Sequence, residues 1–208
     1  MKQLFLTSSN NYVVSDLIKH VPNFKKGMKL VFIPTAAEVE KGDRSWLDED
    51  RQALVDVGFD VQDFSVSNKN LDEVKKAIDP AEVIMVSGGN TYFLLQEIQR
   101  SNCKAYLRER VENGLIYMGS SAGSIVAGPS IDAVGDLDDR NMAPDLQDDI
   151  CLELTDVIVF PHWGSSHFQK RYEKCMQNAY KKGQKLVLLT DDQYLWVKDD
   201  WYQIMEIK

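Results

Sequence analysis

Leu115-Ile116-Tyr117-Met118-Gly119-Ser120-Ser121-Ala122-Gly123 joins an apolar run to small and apolar residues, Ser124 to Gly128, that Pro129 ends. The pattern reads as strand, sharp turn and helix. Gly-x-Ser-x-Gly in that setting is a nucleophile elbow. Its central serine, Ser121, sits at a strained turn with the hydroxyl exposed at the strand's end. Glycines two before and two after let the backbone fold that tightly.

Around this stretch the chain alternates short apolar strands with amphipathic helices. Leu4–Leu6, Lys29–Ile33, Phe59–Phe64, Val83–Val86, Val157–Phe160 and Leu186–Leu189 read as strands. Helices are expected over 15–21, 46–57, 71–78, 92–99, 102–112 and 168–181, and Thr7 to Asn11 reads as a polar loop. Residues 193–197 and 201–207 form a terminal hairpin pattern. The order predicts an α/β fold with a mostly parallel sheet and helices on both faces. No repeat or linker interrupts it, so residues 1–208 are read as one domain. In such sheets, sites lie beyond the carboxyl ends of strands. Ser87-Gly88-Gly89-Asn90-Thr91, the elbow and Pro161-His162-Trp163 all fall there.

A net charge of −8 with no basic stripe argues against a nucleic-acid partner. No apolar run approaches the ~20 residues of a membrane span. No secretory leader is visible, and a cytoplasmic location is expected. Cys103, Cys151 and Cys175 are widely spaced and form no CxxC pair, which predicts neither a disulfide framework nor a metal site.

Serine needs a base, and the base an orienting acid. Of the three histidines, His20 lies near the end of an early helix and reads as a surface residue. His162 follows a strand and is the expected base, with His167 in reserve. Residues 131–150 lack helical or strand period and read as a loop carrying seven aspartates: Asp132, Asp136, Asp138, Asp139, Asp145, Asp148 and Asp149. The residues alone do not choose among them as the acid. The Ala122 amide, at a helix start, and the Gly88-Gly89 turn are expected to supply oxyanion donors.

With these motifs assembled, the chain resembles the peptidase E (aspartyl dipeptidase) family of serine peptidases. That family is similar to class I glutamine amidotransferases, with serine at the elbow. Phe32-Ile33-Pro34-Thr35-Ala36, Ser87 to Thr91, Tyr117 to Gly123, Gly128-Pro129-Ser130-Ile131 and Pro161-His162-Trp163 carry the resemblance. It implies a flavodoxin-like three-layer sandwich. It also implies Ser121 as nucleophile, His162 as base, Asp136 as acid and the Gly88 amide as oxyanion donor. The implied reaction is hydrolysis of dipeptides with an N-terminal aspartate, without metal or organic cofactor. Arg171 stands where the family's substrate-binding cation is expected, with Asn90 and His167 as further substrate contacts. The expected partner is a small peptide, and homodimerisation is left open. Two rivals are a cyanophycinase-like hydrolase of β-aspartyl peptides and a non-catalytic binder of small anions.

Overall fold

A computed structural model of the chain describes residues 1–134 and 137–207. Five parallel strands form the heart of the main sheet: β1 (Gln3–Thr7), β2 (Lys29–Ile33), β3 (Asp60–Asp63), β4 (Val83–Val86) and β5 (Ile116–Ser120). The antiparallel hairpin of β8 (Gln193–Lys198) and β9 (Trp201–Glu206) extends it beside β1, giving the order β3-β2-β4-β5-β1-β8-β9. Two further strands, β6 (Ile158–Phe160) and β7 (Leu186–Leu188), pair in parallel as a separate sheet.

Alternation along the strands divides the core into two layers. Phe5, Leu30, Phe32, Met85 and Met118 face one side, covered by α1 (Asn10–Leu17) and α2 (Ser45–Val57) through Val13, Val14, Leu17 and Leu54. Leu4, Leu6, Val31, Ile84 and Tyr117 face the other. There they meet α3 (Leu71–Ile78), α4 (Thr91–Arg100), α5 (Lys104–Glu112), α6 (Ala122–Ile125) and α7 (Gln169–Lys182). The result is the expected sandwich with a mostly parallel central sheet.

Two sequence expectations are corrected, and a third gains detail. The first helix begins at Asn10, inside the stretch read as a loop, because Val13, Val14 and Leu17 form its buried stripe. The strand before His162 lies in the small sheet, not the main one. The acidic stretch after the elbow is irregular, as read, but it is anchored in the core rather than laid over the surface. Ile131, Ala133, Val134, Leu137 and Ala143 are buried in the core, and Ser130 bridges to Ile150. Apolar residues spaced irregularly among aspartates anchor it without a helical or strand period.

Register places Gly119 beside both Leu6 and Val86. The carboxyl ends of β1, β4 and β5 therefore lie side by side, and the segments that leave them converge on one cavity of about 550 Å³.

Candidate active site

Ser121 adopts φ 49° and ψ −108° between β5 and α6. A side chain there resists positive φ, and such strain persists only where the surroundings over-determine it. They do so here. The Ser121 amide donates to the Thr7 carbonyl at 3.0 Å. The Ser124 hydroxyl accepts from the Thr7 amide at 2.8 Å and lies 2.7 and 2.8 Å from the carbonyls of Thr7 and Gly119. The buried Tyr117 hydroxyl donates to the Gly123 carbonyl at 2.6 Å. These bonds tie the turn to the ends of β1 and β5.

His162 presents Nε2 to the Ser121 hydroxyl at 3.0 Å. It too has positive φ, at 58°. Its amide donates to the Ser8 hydroxyl at 3.0 Å, and its ring stacks on Phe168 with centroids 4.9 Å apart. The acid at its other nitrogen is Asp191, with Oδ1 at 2.7 Å from Nδ1. The Ser9 hydroxyl donates to the same oxygen at 3.2 Å. The His162 hydrogen bond holds the Asp191 carboxyl below its ordinary range, against the opposing effect of burial. Asp136, the acid implied by resemblance, lies outside the described residues.

Asp191 was missed by sequence reasoning, and the small sheet explains its position. His162 follows β6 and Asp191 follows β7. The two strands run parallel, so both residues emerge at the same end. The Trp163 amide donates to the Leu189 carbonyl at 2.8 Å, and the Leu189 amide to the Phe160 carbonyl at 3.0 Å. Two strands ending in Pro161-His162 and Thr190-Asp191 were the available signal.

Gly88 packs against Ser121. A Cβ on it would lie 3.2 Å from the Ser121 Cβ and 3.5 Å from the Trp46 ring. Gly89 has φ +126°, and a Cβ there would come within 2.3 Å of the Ala36 backbone. The glycine pair thus lets β4 turn closely over Ser121. Ala122 is the first residue of α6, so its amide belongs to the unpaired first turn.

Asn90 is not among the residues that line the cavity. Its side-chain oxygen caps α4 by accepting from the Phe93 amide at 2.9 Å, and its nitrogen donates to the Asp139 carbonyl at 3.1 Å. Asn90, expected as a substrate contact, serves in this structure as the cap of α4. His167 and Arg171 do line the cavity. The Arg171 guanidinium lies over the Phe168 ring and donates to the Leu137 carbonyl at 2.5 Å.

Among the described lining residues, Arg171 shares the cavity with five carboxylates: Glu40, Glu49, Asp50, Asp138 and Asp191. Burial pushes the Asp138 carboxyl up, opposed by bonds from Thr91, whose amide donates at 2.9 Å. Burial, then the charge of Asp138, raises Glu40. Asp50, on α2 and only 4% exposed, is pushed up to about 6, chiefly by burial. Unfolding returns it to its ordinary value of 3.8. The native state therefore binds this proton more tightly, and stability falls as pH rises from 3.8 to about 6. The difference corresponds to about 3 kcal/mol at neutral pH. Asp50→Asn should raise the melting temperature by several degrees at pH 8 and leave it nearly unchanged at pH 4. Thermal melts at both pH values check this, and an equal shift at the two would refute it.

An elbow serine hydrogen-bonded to a histidine, itself held by a carboxylate at the mouth of a cavity, defines a serine-nucleophile class of enzyme. The model of peptidase family S51 matches residues 4–205. An uncharacterized peptidase of Pasteurella multocida is 34% identical over 84% of this chain and 83% of its own length. Peptidase E of Haemophilus influenzae is 32% identical over 81% of this chain and 74% of its own length. A solved structure from Listeria monocytogenes, described as a candidate peptidase E, superposes with TM-score 0.91 at 27% identity over the whole of both chains. A peptidase from an acI-B1 Actinobacterium shares the fold at TM-score 0.76 and 19% identity, over all of this chain and 88% of its own. The chain belongs to peptidase family S51 and is a serine-type peptidase. Among its described residues, no helix is long and apolar enough to cross a membrane.

Proposed function

We propose that this peptidase cleaves short peptides, dipeptides with an N-terminal aspartate foremost, through Ser121, His162 and Asp191. The observation that carries the proposal is the hydrogen-bonded chain from the Ser121 hydroxyl to His162 (3.0 Å) and on to Asp191 (2.7 Å) at the cavity wall. Ser121 Oγ attacks the scissile carbonyl as His162 Nε2 takes its proton. Asp191 fixes the Nδ1–H tautomer and stabilises the imidazolium. The amides of Gly88 and Ala122 receive the oxyanion. His162 then gives its proton to the leaving amine, and water resolves the acyl-enzyme. Arg171 at the cavity wall supports the aspartate preference, since its guanidinium is matched to a carboxylate. The excess of carboxylates in the lining weighs against a binder of free anions.

Turnover of Asp-X dipeptides, compared with Ala-X dipeptides and β-aspartyl-arginine, tests the substrate class. Preference for Asp-X is expected; preference for the β-linked peptide would move the assignment to the cyanophycinase-like reaction. The acid is tested separately. Asp191→Asn keeps the shape but favours the wrong tautomer, and should lower kcat by roughly 10⁴-fold. Asp136→Asn should leave kcat within about tenfold of wild type. The reverse pattern would return the role to Asp136.

A further inference from the structure

We infer that Asp50 anchors the free α-ammonium of the substrate's first residue, so that the cavity takes peptides by their amino terminus. This rests on the serine-peptidase reading of Ser121. Asp50 is buried and lines the same cavity as Ser121 and His162. Its Oδ1 accepts from the Asn11 amide at 2.8 Å, in the first turn of α1. Ser120, one residue before Ser121, lines the cavity with it, its hydroxyl donating to the Ser8 carbonyl at 3.3 Å.

Capping α1 does not account for a carboxylate at this position. Asparagine or serine would accept from the Asn11 amide equally well. Neither would bring a negative charge to a site where burial opposes it. What the charge supplies is an attraction for a cation entering the cavity, strengthened by the same exclusion of water.

Geometry selects which cation. In an α-aminoacyl group the nitrogen is two bonds from the carbon that Ser121 attacks. Asp50 lines the same cavity as Ser120 and Ser121, where that nitrogen would lie. The charge of a lysine or arginine side chain lies several bonds farther from the attacked carbon. Arg171 lines the cavity as well, from α7 on the other face of the sheet. An N-terminal aspartate would then meet Asp50 with its ammonium and Arg171 with its side-chain carboxylate, while Gly88 and Ala122 hold its carbonyl oxygen.

The test compares an aspartyl p-nitroanilide with its N-acetyl derivative, on wild type and on Asp50→Asn. Wild type should favour the free amine by roughly a hundredfold in kcat/KM, the value expected for a hydrogen bond between charged groups. Asp50→Asn should reduce that preference below about tenfold, mainly by raising KM. Equal cleavage of the two substrates by wild type overturns the inference whether or not the variant folds, as does a variant that keeps the full preference. Labelling of wild type with a fluorophosphonate separates the two levels of reading. A labelled Ser121 without preference for the free amine refutes the anchor alone. A protein that neither labels nor cleaves refutes the serine-peptidase reading beneath it.

Discussion

Ser121→Ala is expected to lower kcat on the best peptide substrate by about 10⁴ to 10⁶-fold while leaving the melting temperature within a few degrees of wild type. The size of the loss follows from the proposed mechanism, in which Ser121, His162 and Asp191 work as a unit. Without Oγ there is nothing for His162 to deprotonate and no acyl-enzyme, so what survives is binding and oxyanion stabilisation. The small effect on stability has a separate cause. Alanine keeps the Cβ, so the φ of 49° is neither relieved nor worsened. The side chain removed makes one hydrogen bond, to the half-buried His162, worth about 1 kcal/mol. The Thr7, Ser124 and Tyr117 bonds that shape the turn involve other groups and remain. Single-turnover assays and thermal melts of the same preparation check both halves. A variant that retained even a tenth of wild-type kcat would remove Ser121 from the role of nucleophile.

The elbow was legible in the sequence because its geometry is local. A turn of this sharpness needs small residues at fixed offsets from the serine, and Gly119 and Gly123 advertise it. His162 was legible by scarcity, being one of three histidines and the one that ends a strand before a proline-bounded turn. Asp191 was not, because its partnership is made by tertiary structure. It stands 29 residues beyond His162, just after a strand whose parallel pairing with β6 no local pattern records. The residues that meet here run serine, histidine, aspartate along the chain, whereas the segment read for an acid, with Asp136 in it, lies between Ser121 and His162. Asn90 illustrates an ambiguity of a different kind. It follows a glycine pair beside Ser121, where a ligand contact is reasonable, but an asparagine before a helix also serves as its cap. Here the cap took the side chain. Asp50 escaped notice for a third reason. In the sequence it is one acid of an exposed-looking helix, and only the packing of α1 against α2 buries it at the cavity.

Gly123→Ala should cost at least about 3 kcal/mol of stability, a drop of roughly 6–12 °C in melting temperature, and should abolish activity as a consequence. The added Cβ would lie 2.0 Å from the Val86 carbonyl oxygen and 2.7 Å from the Val86 carbonyl carbon. Both are backbone atoms of β4, a central strand held by β2 on one side and β5 on the other. No rotamer change can relieve the contact. Either β4 shifts, disturbing two ladders, or α6 lifts from the sheet and takes Ser121 with it. Gly88→Ala provides the contrast. Its Cβ would meet the Ser121 Cβ at 3.2 Å and the end of the Trp46 ring at 3.5 Å, with no backbone atom nearer than the Ser120 oxygen at 3.7 Å. That substitution should fold with a loss of no more than about 1 kcal/mol. It should nonetheless reduce kcat/KM by at least about tenfold, because the methyl group crowds the space over the nucleophile where the carbonyl must dock. Chemical denaturation of the two variants, read beside their labelling by a fluorophosphonate, separates a glycine that builds the elbow from one that keeps its face open. Equal stability losses at the two positions would mean that the close approach of α6 to β4 is not what fixes the turn.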